Sequence, residues 1–151
     1  MNLNPTAERF LTEWALDEFT VGHYLGVQTF TYGPDLEENI AVGSIAQDEM
    51  GHARMLLSFL ADSEKAVDRI IYGRTPEEMR VATLAQAWRN EDWPYIVVKQ
   101  FLYDSADQVR FGFFEQLPDE QLKSIQGMMG REERVHREHW LEWIKVLASD
   151  A

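Results

Sequence analysis

The sequence predicts an all-α fold, a four-helix bundle with one long crossover connection. Four long segments repeat apolar residues at three- and four-residue steps, and none alternates apolar with polar residues as a strand would. Short turns join the first segment to the second and the third to the fourth, whereas a long connector separates the two pairs. Asn4-Pro5 opens the first segment, since a polar cap followed by proline suits a helix whose first turn tolerates that ring. It runs to about Phe30, with Leu11, Trp14, Ala15, Val21, Gly22 and Leu25 along one stripe. After the Gly33-Pro34 turn, the second segment runs from about Asp35 to Ala61 and carries Ile40, Gly43, Ala46, Ala53, Leu56 and Leu60. The pattern weakens between Asp62 and Trp93, where Gly73, Pro76, Glu77 and Glu78 predict short helices in a connector. Pro94 starts the third segment, to about Gln116, with a stripe of Val97, Phe101, Gln108 and Phe111. Leu117-Pro118-Asp119 then turns the chain into a fourth, reaching about Ala148.

A chain of 151 residues is enough for one domain with a real core and too short for two ordinary ones, so 1–151 is expected to be a single domain. With 45% hydrophobic and 26% charged residues the composition is globular. No apolar run approaches the roughly 20 residues of a membrane span. The net charge of −12 would repel nucleic-acid phosphates and anionic lipid headgroups, which argues against both as partners. Without cysteine there is no disulfide framework, thiolate metal site or cysteine nucleophile, and any metal must sit on His, Asp and Glu. Met1 to Phe10 lacks a basic stretch followed by an apolar one, so the expected location is cytoplasmic.

The chemistry lies in a pattern that occurs twice. Asp48-Glu49-Met50-Gly51-His52 in the second segment and Glu132-Glu133-Arg134-Val135-His136 in the fourth each read as an acid followed by Glu-x-x-His. Residues i and i+3 share one helix face about one turn apart, so each Glu/His pair can grip one metal ion. One such pair is weak evidence, but two at equivalent places are specific. Glu18 interrupts the apolar stripe of the first segment and Asp104 falls within that of the third, so both point inward. Glu49 follows Glu18 by 31 residues and Glu133 follows Asp104 by 29, nearly the same step in both halves. Burying four carboxylates costs several kcal/mol apiece without compensating cations, and the sequence suggests no buried Lys or Arg among them. Two divalent ions would balance Glu18, Glu49, Asp104 and Glu133, with His52 and His136 bound as neutral imidazoles. That is the two-metal arrangement of a ferritin-like bundle. An all-oxygen-and-nitrogen donor set favours iron, with manganese second. Asp48 and Glu132 are candidates to fix the imidazole tautomers by pairing across the two motifs. His139 lacks a partner motif and His23 is rotated off the Glu18 face, so neither is counted as a ligand.

The stretch from Ile45 to Arg54, with Gln100-Phe101-Leu102-Tyr103-Asp104 and Glu132-Glu133-Arg134-Val135-His136, resembles the phenylacetate-catabolism family of ferritin-like proteins. Members of that family are subunits of a bacterial phenylacetyl-CoA oxygenase, or epoxidase. The resemblance runs from about Phe10 to Leu147, and Gln-Asp-Glu-x-Gly-His is its most specific part. It implies either a catalytic subunit, whose di-iron site activates dioxygen and epoxidises the ring of an aryl acyl-CoA, or a related structural subunit that has lost its ligands. All six positions, Glu18, Glu49, His52, Asp104, Glu133 and His136, carry ligand residues, so the chain resembles the catalytic type. It is shorter than typical members, with 15 residues after His136, so the resemblance carries the site better than the substrate.

Three functions follow from these residues: a dioxygen-activating di-iron oxygenase, a ferroxidase or other iron-handling protein, and a non-catalytic structural subunit of an oxygenase complex. The first needs electrons from a separate reductase, because the chain shows no flavin or iron–sulfur motif. Trp88, Trp93, Phe113, Phe114, Trp140 and Trp143 exceed what one small core accommodates, which predicts a homodimer or a hetero-oligomer with a related subunit.

Overall fold

The structure is a computed structural model that describes residues 3–86, 92–114 and 120–149. Among them are five α-helices, one 3₁₀ turn and no strand. The architecture is the all-α, ferritin-like one: two hairpins of long helices with a long connection between them. The chain divides into two compact units, Met1–Trp88 and Arg89–Ala151.

In the first unit, α1 (Pro5–Tyr32) packs against α2 (Leu36–Ser58). Asn4 Oδ1 accepts the Ala7 amide at 2.9 Å, with Pro5 occupying the first turn, where its missing N–H costs nothing. Asp35 caps α2 by accepting from the Glu38 amide at 2.8 Å, and Glu37 and Glu38 sit at the positive end of the helix dipole. Every apolar residue predicted for the α1 stripe is buried. On α2 the buried side is Val42, Ile45, Ala46, Ala53, Leu56 and Leu57, and the expected Ile40 is 62% exposed. The Ile40 expectation fails because it took an apolar residue as evidence of burial, and scattered exposed apolar side chains are ordinary. α3 (Glu64–Tyr72) and a 3₁₀ turn (Pro76–Glu78) occupy the connector, where short helices were expected. Thr75 and Glu78 form a capping box around that turn. Asp17 Oδ1 accepts the Ala82 amide at 2.6 Å and so ties the end of the connector to α1. No helix is long and apolar enough to cross a membrane among the described residues.

Gly22 sets the spacing of the first hairpin. A Cβ there would meet the Ala46 carbonyl oxygen at 2.7 Å, Met50 Cγ at 2.8 Å and Glu49 Cβ at 2.9 Å. Only glycine lets α1 and α2 approach this closely, at the level of Glu49. Gly22→Ala gains about 1 kcal/mol of helix propensity and loses about 1–3 kcal/mol to overpacking. With backbone among the clashing atoms the loss prevails, so the urea midpoint should fall; a midpoint at or above wild type would refute the close approach.

In the second unit, α4 (Trp93–Phe114) packs against α5 (Glu120–Ser149). Asp92 Oδ1 accepts the Tyr95 amide at 3.1 Å and starts α4, with Pro94 in the first turn. The buried face of α4 departs from the expected stripe. Val97 and Phe111 are buried, but Phe101 is half-buried and Gln108 exposed, and Gln100, Tyr103, Asp104 and Asp107 complete the face. Along α5, Leu122, Met129, Glu133, His136 and Trp140 are buried, at steps of seven, four, three and four. Trp93 meets Trp143 edge to face at 5.2 Å and Trp140 at 6.1 Å, which clamps the start of α4 to the end of α5. Of the aromatic residues predicted to be in excess, Trp93, Phe114 and Trp140 are therefore core, Trp143 is half-buried and Phe113 is 57% exposed. Trp88 and the Leu117-Pro118-Asp119 turn lie outside the described residues.

Candidate metal centre

Each hairpin carries one Glu-x-x-His and one mid-helix acid, and all six side chains are shut away from solvent. Glu18, Glu49, His52, Asp104 and Glu133 are 0% exposed and His136 is 2% exposed. Acids are almost never fully buried unless they are paired or hold a metal, so four such carboxylates in these two hairpins are not a surface accident.

In the first unit, helix periodicity sets Glu49 and His52 one turn apart on the side of α2 that meets α1, and Glu18 faces them from α1. The Trp14 indole Nε1 donates to Glu18 Oε1 at 2.6 Å from one turn earlier in α1, which fixes the carboxylate. The other oxygen, Oε2, stands 3.5 Å from His52 Nδ1, and Glu49 Oε2 is 3.9 Å from the same nitrogen. Donor atoms of Glu18, Glu49 and His52 all lie within 4.8 Å of one another. An ion about 2.0–2.2 Å from each oxygen or nitrogen donor separates opposite donors by roughly 4 Å, so three donors this close fit one divalent ion after small side-chain adjustments. The chemistry of the set, two carboxylates and one imidazole without sulfur, suits a first-row divalent metal.

In the second unit, Glu133 and His136 repeat the one-turn spacing on α5, with Glu133 Oε1 4.0 Å from His136 Nδ1. Asp104 is buried on α4, the helix that packs against α5. Asp48 and Glu132, expected to orient the imidazoles, are half-buried. His23 is exposed, as expected, and His139 lies edge-on to the Trp140 ring at 4.8 Å.

Five buried polar or charged groups escaped the sequence reading: Asp17, Glu38, Lys99, Gln100 and Asp107. Lys99 is 3% exposed, which corrects the expectation of no buried lysine or arginine; its Nζ donates to Gln100 Oε1 at 3.0 Å. On α4 it stands about 140° around the helix from Asp104, at 100° per residue, and so is not that acid's neighbour on its own helix. Asp107 is 0% exposed and accepts from Arg110 Nη1 at 2.7 Å, while the same guanidinium nitrogen reaches the Tyr103 hydroxyl at 3.3 Å. Its signal was present, since Asp107 follows Asp104 by three residues and shares its face. Asp17, 4% exposed, serves the Ala82 amide and follows no periodic pattern.

An all-α protein of ferritin-like architecture that buries two Glu-x-x-His pairs, each with a further acid in its hairpin, offers the carboxylate–histidine donor set with which helix bundles can hold metal ions. Comparison with family models narrows the reading. The chain belongs to the phenylacetic acid catabolic protein family, whose model matches residues 2–151. Among curated proteins, no relative matches the chain.

Proposed function

We propose that the chain is a single ferritin-like domain, 1–151, that holds two iron ions on Glu18, Glu49, His52, Asp104, Glu133 and His136 and activates dioxygen. In this reading it is the catalytic-type subunit of a phenylacetyl-CoA oxygenase and epoxidises or hydroxylates the ring of an aryl acyl-CoA. The observation that carries the metal is the burial of four carboxylates and two histidines, one Glu-x-x-His pair and one further acid in each hairpin, a donor set whose negative charge divalent ions would offset. The substrate class rests on family membership.

Bound iron would supply the redox chemistry of dioxygen reduction, with manganese as the alternative metal. The chain's own residues set the conditions for it. Trp14 holds one Glu18 oxygen and leaves the other directed at the His52 side of the hairpin. Leu11, Ala15 and Leu25 from α1 and Ala53 and Leu56 from α2 wall the first pair of helices with apolar surface, which excludes bulk water and strengthens every charge interaction inside. Asp48 and Glu132 fix the imidazole tautomers. An external reductase delivers electrons, and the working form is a homodimer or a complex with a related subunit.

The test combines the iron-loaded, reduced protein with oxygen, a chemical reductant and phenylacetyl-CoA. Oxygen uptake with an oxygenated acyl-CoA product, both lost in His52→Ala, is the expected result. Iron oxidation and oxygen uptake without product would make the protein a ferroxidase, and failure to retain iron at all would make it a structural subunit.

A further inference from the structure

Within the first unit, the face of α1 turned away from Glu18 lines an open cavity of about 470 Å³. Phe19, Thr20, His23 and Tyr24 lie about 100–240° around the helix from Glu18, so this space is not an extension of the carboxylate cluster. The end of α3 and the segment after it close the other side. Val81, on that side, sits next to Ala82, whose amide is bonded to Asp17 of α1.

The walls are chemically uneven. Phe19 and Tyr72 meet edge to face at 5.6 Å and 88°, and the His23 ring stacks along Phe19 at 6.1 Å and 13°, giving a cluster of ring faces and edges. Ile71, Met79 and Val81 add aliphatic surface. No aspartate or glutamate lines the cavity, in a chain with 26 of them, whereas Arg74 and His23 both do. Arg74 donates from Nε to the Ile70 carbonyl at 2.8 Å and from Nη1 to the Glu78 carbonyl at 3.4 Å, and it makes no ion pair among the described residues. Those two carbonyls orient the guanidinium without neutralising it, and Nη2 donates to neither of them. Arg9 and Arg110, by contrast, pair with the carboxylates of Glu13 and Asp107.

We infer that this cavity is a binding site for a small planar aromatic anion, its ring against Phe19 and Tyr72 and its carboxylate or phosphate on Arg74. The volume falls in the range of small-molecule sites, about 300–1,000 Å³. A guanidinium held in place presents its remaining N–H groups to an anion in the fork geometry that carboxylates and phosphates match. The aromatic edges supply the apolar contact that distinguishes such a ligand from a free inorganic ion.

Isothermal titration of the protein as purified tests this with four probes: 2-naphthoate, phenyl phosphate, the neutral 2-naphthamide and inorganic phosphate. The aromatic anions should bind, the better of the two identifying the anionic group, with the amide and inorganic phosphate at least about tenfold weaker, a difference of about 1.4 kcal/mol. Arg74→Gln and, separately, Tyr72→Ala should each weaken the better anion by about tenfold or more, whereas Arg9→Gln, at an exposed arginine that pairs with Glu13, should leave it unchanged. Tyr72 is 68% exposed, so its replacement leaves the fold intact and keeps the test informative if Arg74→Gln unfolds. Equal binding of 2-naphthamide, binding indifferent to both Arg74→Gln and Tyr72→Ala, or no binding of either aromatic anion would overturn the inference. None of these outcomes depends on the metal-centre reading.

Discussion

Elemental analysis of iron-reconstituted protein should return about two ions per chain for wild type and almost none for a Glu49→Ala/Glu133→Ala double variant. The two residues stand at equivalent places in the repeated motif, one in each hairpin, and both are 0% exposed. Removing one carboxylate from each Glu-x-x-His pair takes away an oxygen donor and leaves the remaining buried acids with less metal to compensate them. Loss of metal affinity on removing a ligand outright should exceed the 10–100-fold that follows from disturbing a group behind one. Glu49→Gln with Glu133→Gln gives a control that keeps volume and packing while removing two charges. Those variants should also fail to retain iron while folding with wild-type helicity. Equal iron in wild type and the double alanine variant, below one ion per chain, would show that the six residues do not hold metal.

The sequence carries the helices more completely than the faces they bury. Proline and cap chemistry are local, so the starts at Pro5 and Pro94 and the Asp35 cap could be read from neighbours alone. The α1 stripe could be read because its buried residues are nearly all apolar. On α4 four of the ten buried residues are polar or charged: Lys99, Gln100, Asp104 and Asp107. Apolar spacing does not distinguish a polar residue buried by a partner from one left in water, so Gln100 and Asp107 were missed while the half-buried Phe101 and the exposed Gln108 were expected in the stripe. Lys99 was invisible for a related reason, since a long aliphatic stem lets an ammonium group occupy positions that sequence reading assigns to solvent.

The metal-ligand candidates were legible because their chemistry is spaced, not because it is apolar. A Glu and a His three residues apart share a helix face whatever surrounds them, and repetition in both hairpins makes the pattern specific. Trp14 was expected only as a core residue, yet its indole fixes Glu18. Nothing in the spacing of Trp14 and Glu18 distinguishes a hydrogen-bonded pair from two neighbours on a stripe. Side-chain direction decides it, and that is a property of the folded helix pair.

Removing the metal should lower the melting temperature by about 8–16 °C at neutral pH. The estimate follows from linkage: a ligand present at about a thousand times its dissociation constant stabilises the folded state by about 4 kcal/mol, and each kcal/mol moves the midpoint of a domain this size by about 2–4 °C. Its physical origin is the burial already described. Without cations, carboxylates on α1, α2, α4 and α5 are each held out of water at 0% exposure, and the apo protein must bear that cost or take up protons to reduce it. Metal binding reverses it, so rebinding at constant pH should also release protons, measurable as a buffer-dependent heat in titration calorimetry. Paired thermal scans of chelator-treated and iron-loaded protein check the shift. Glu49→Gln combined with Glu133→Gln separates metal binding from general salt effects. That variant should melt above the wild-type apo form, because it carries two fewer buried charges, and should gain little from iron. Identical midpoints for apo and loaded wild type would mean that the buried acids impose no cost that metal relieves, and the charge argument for the centre would fail.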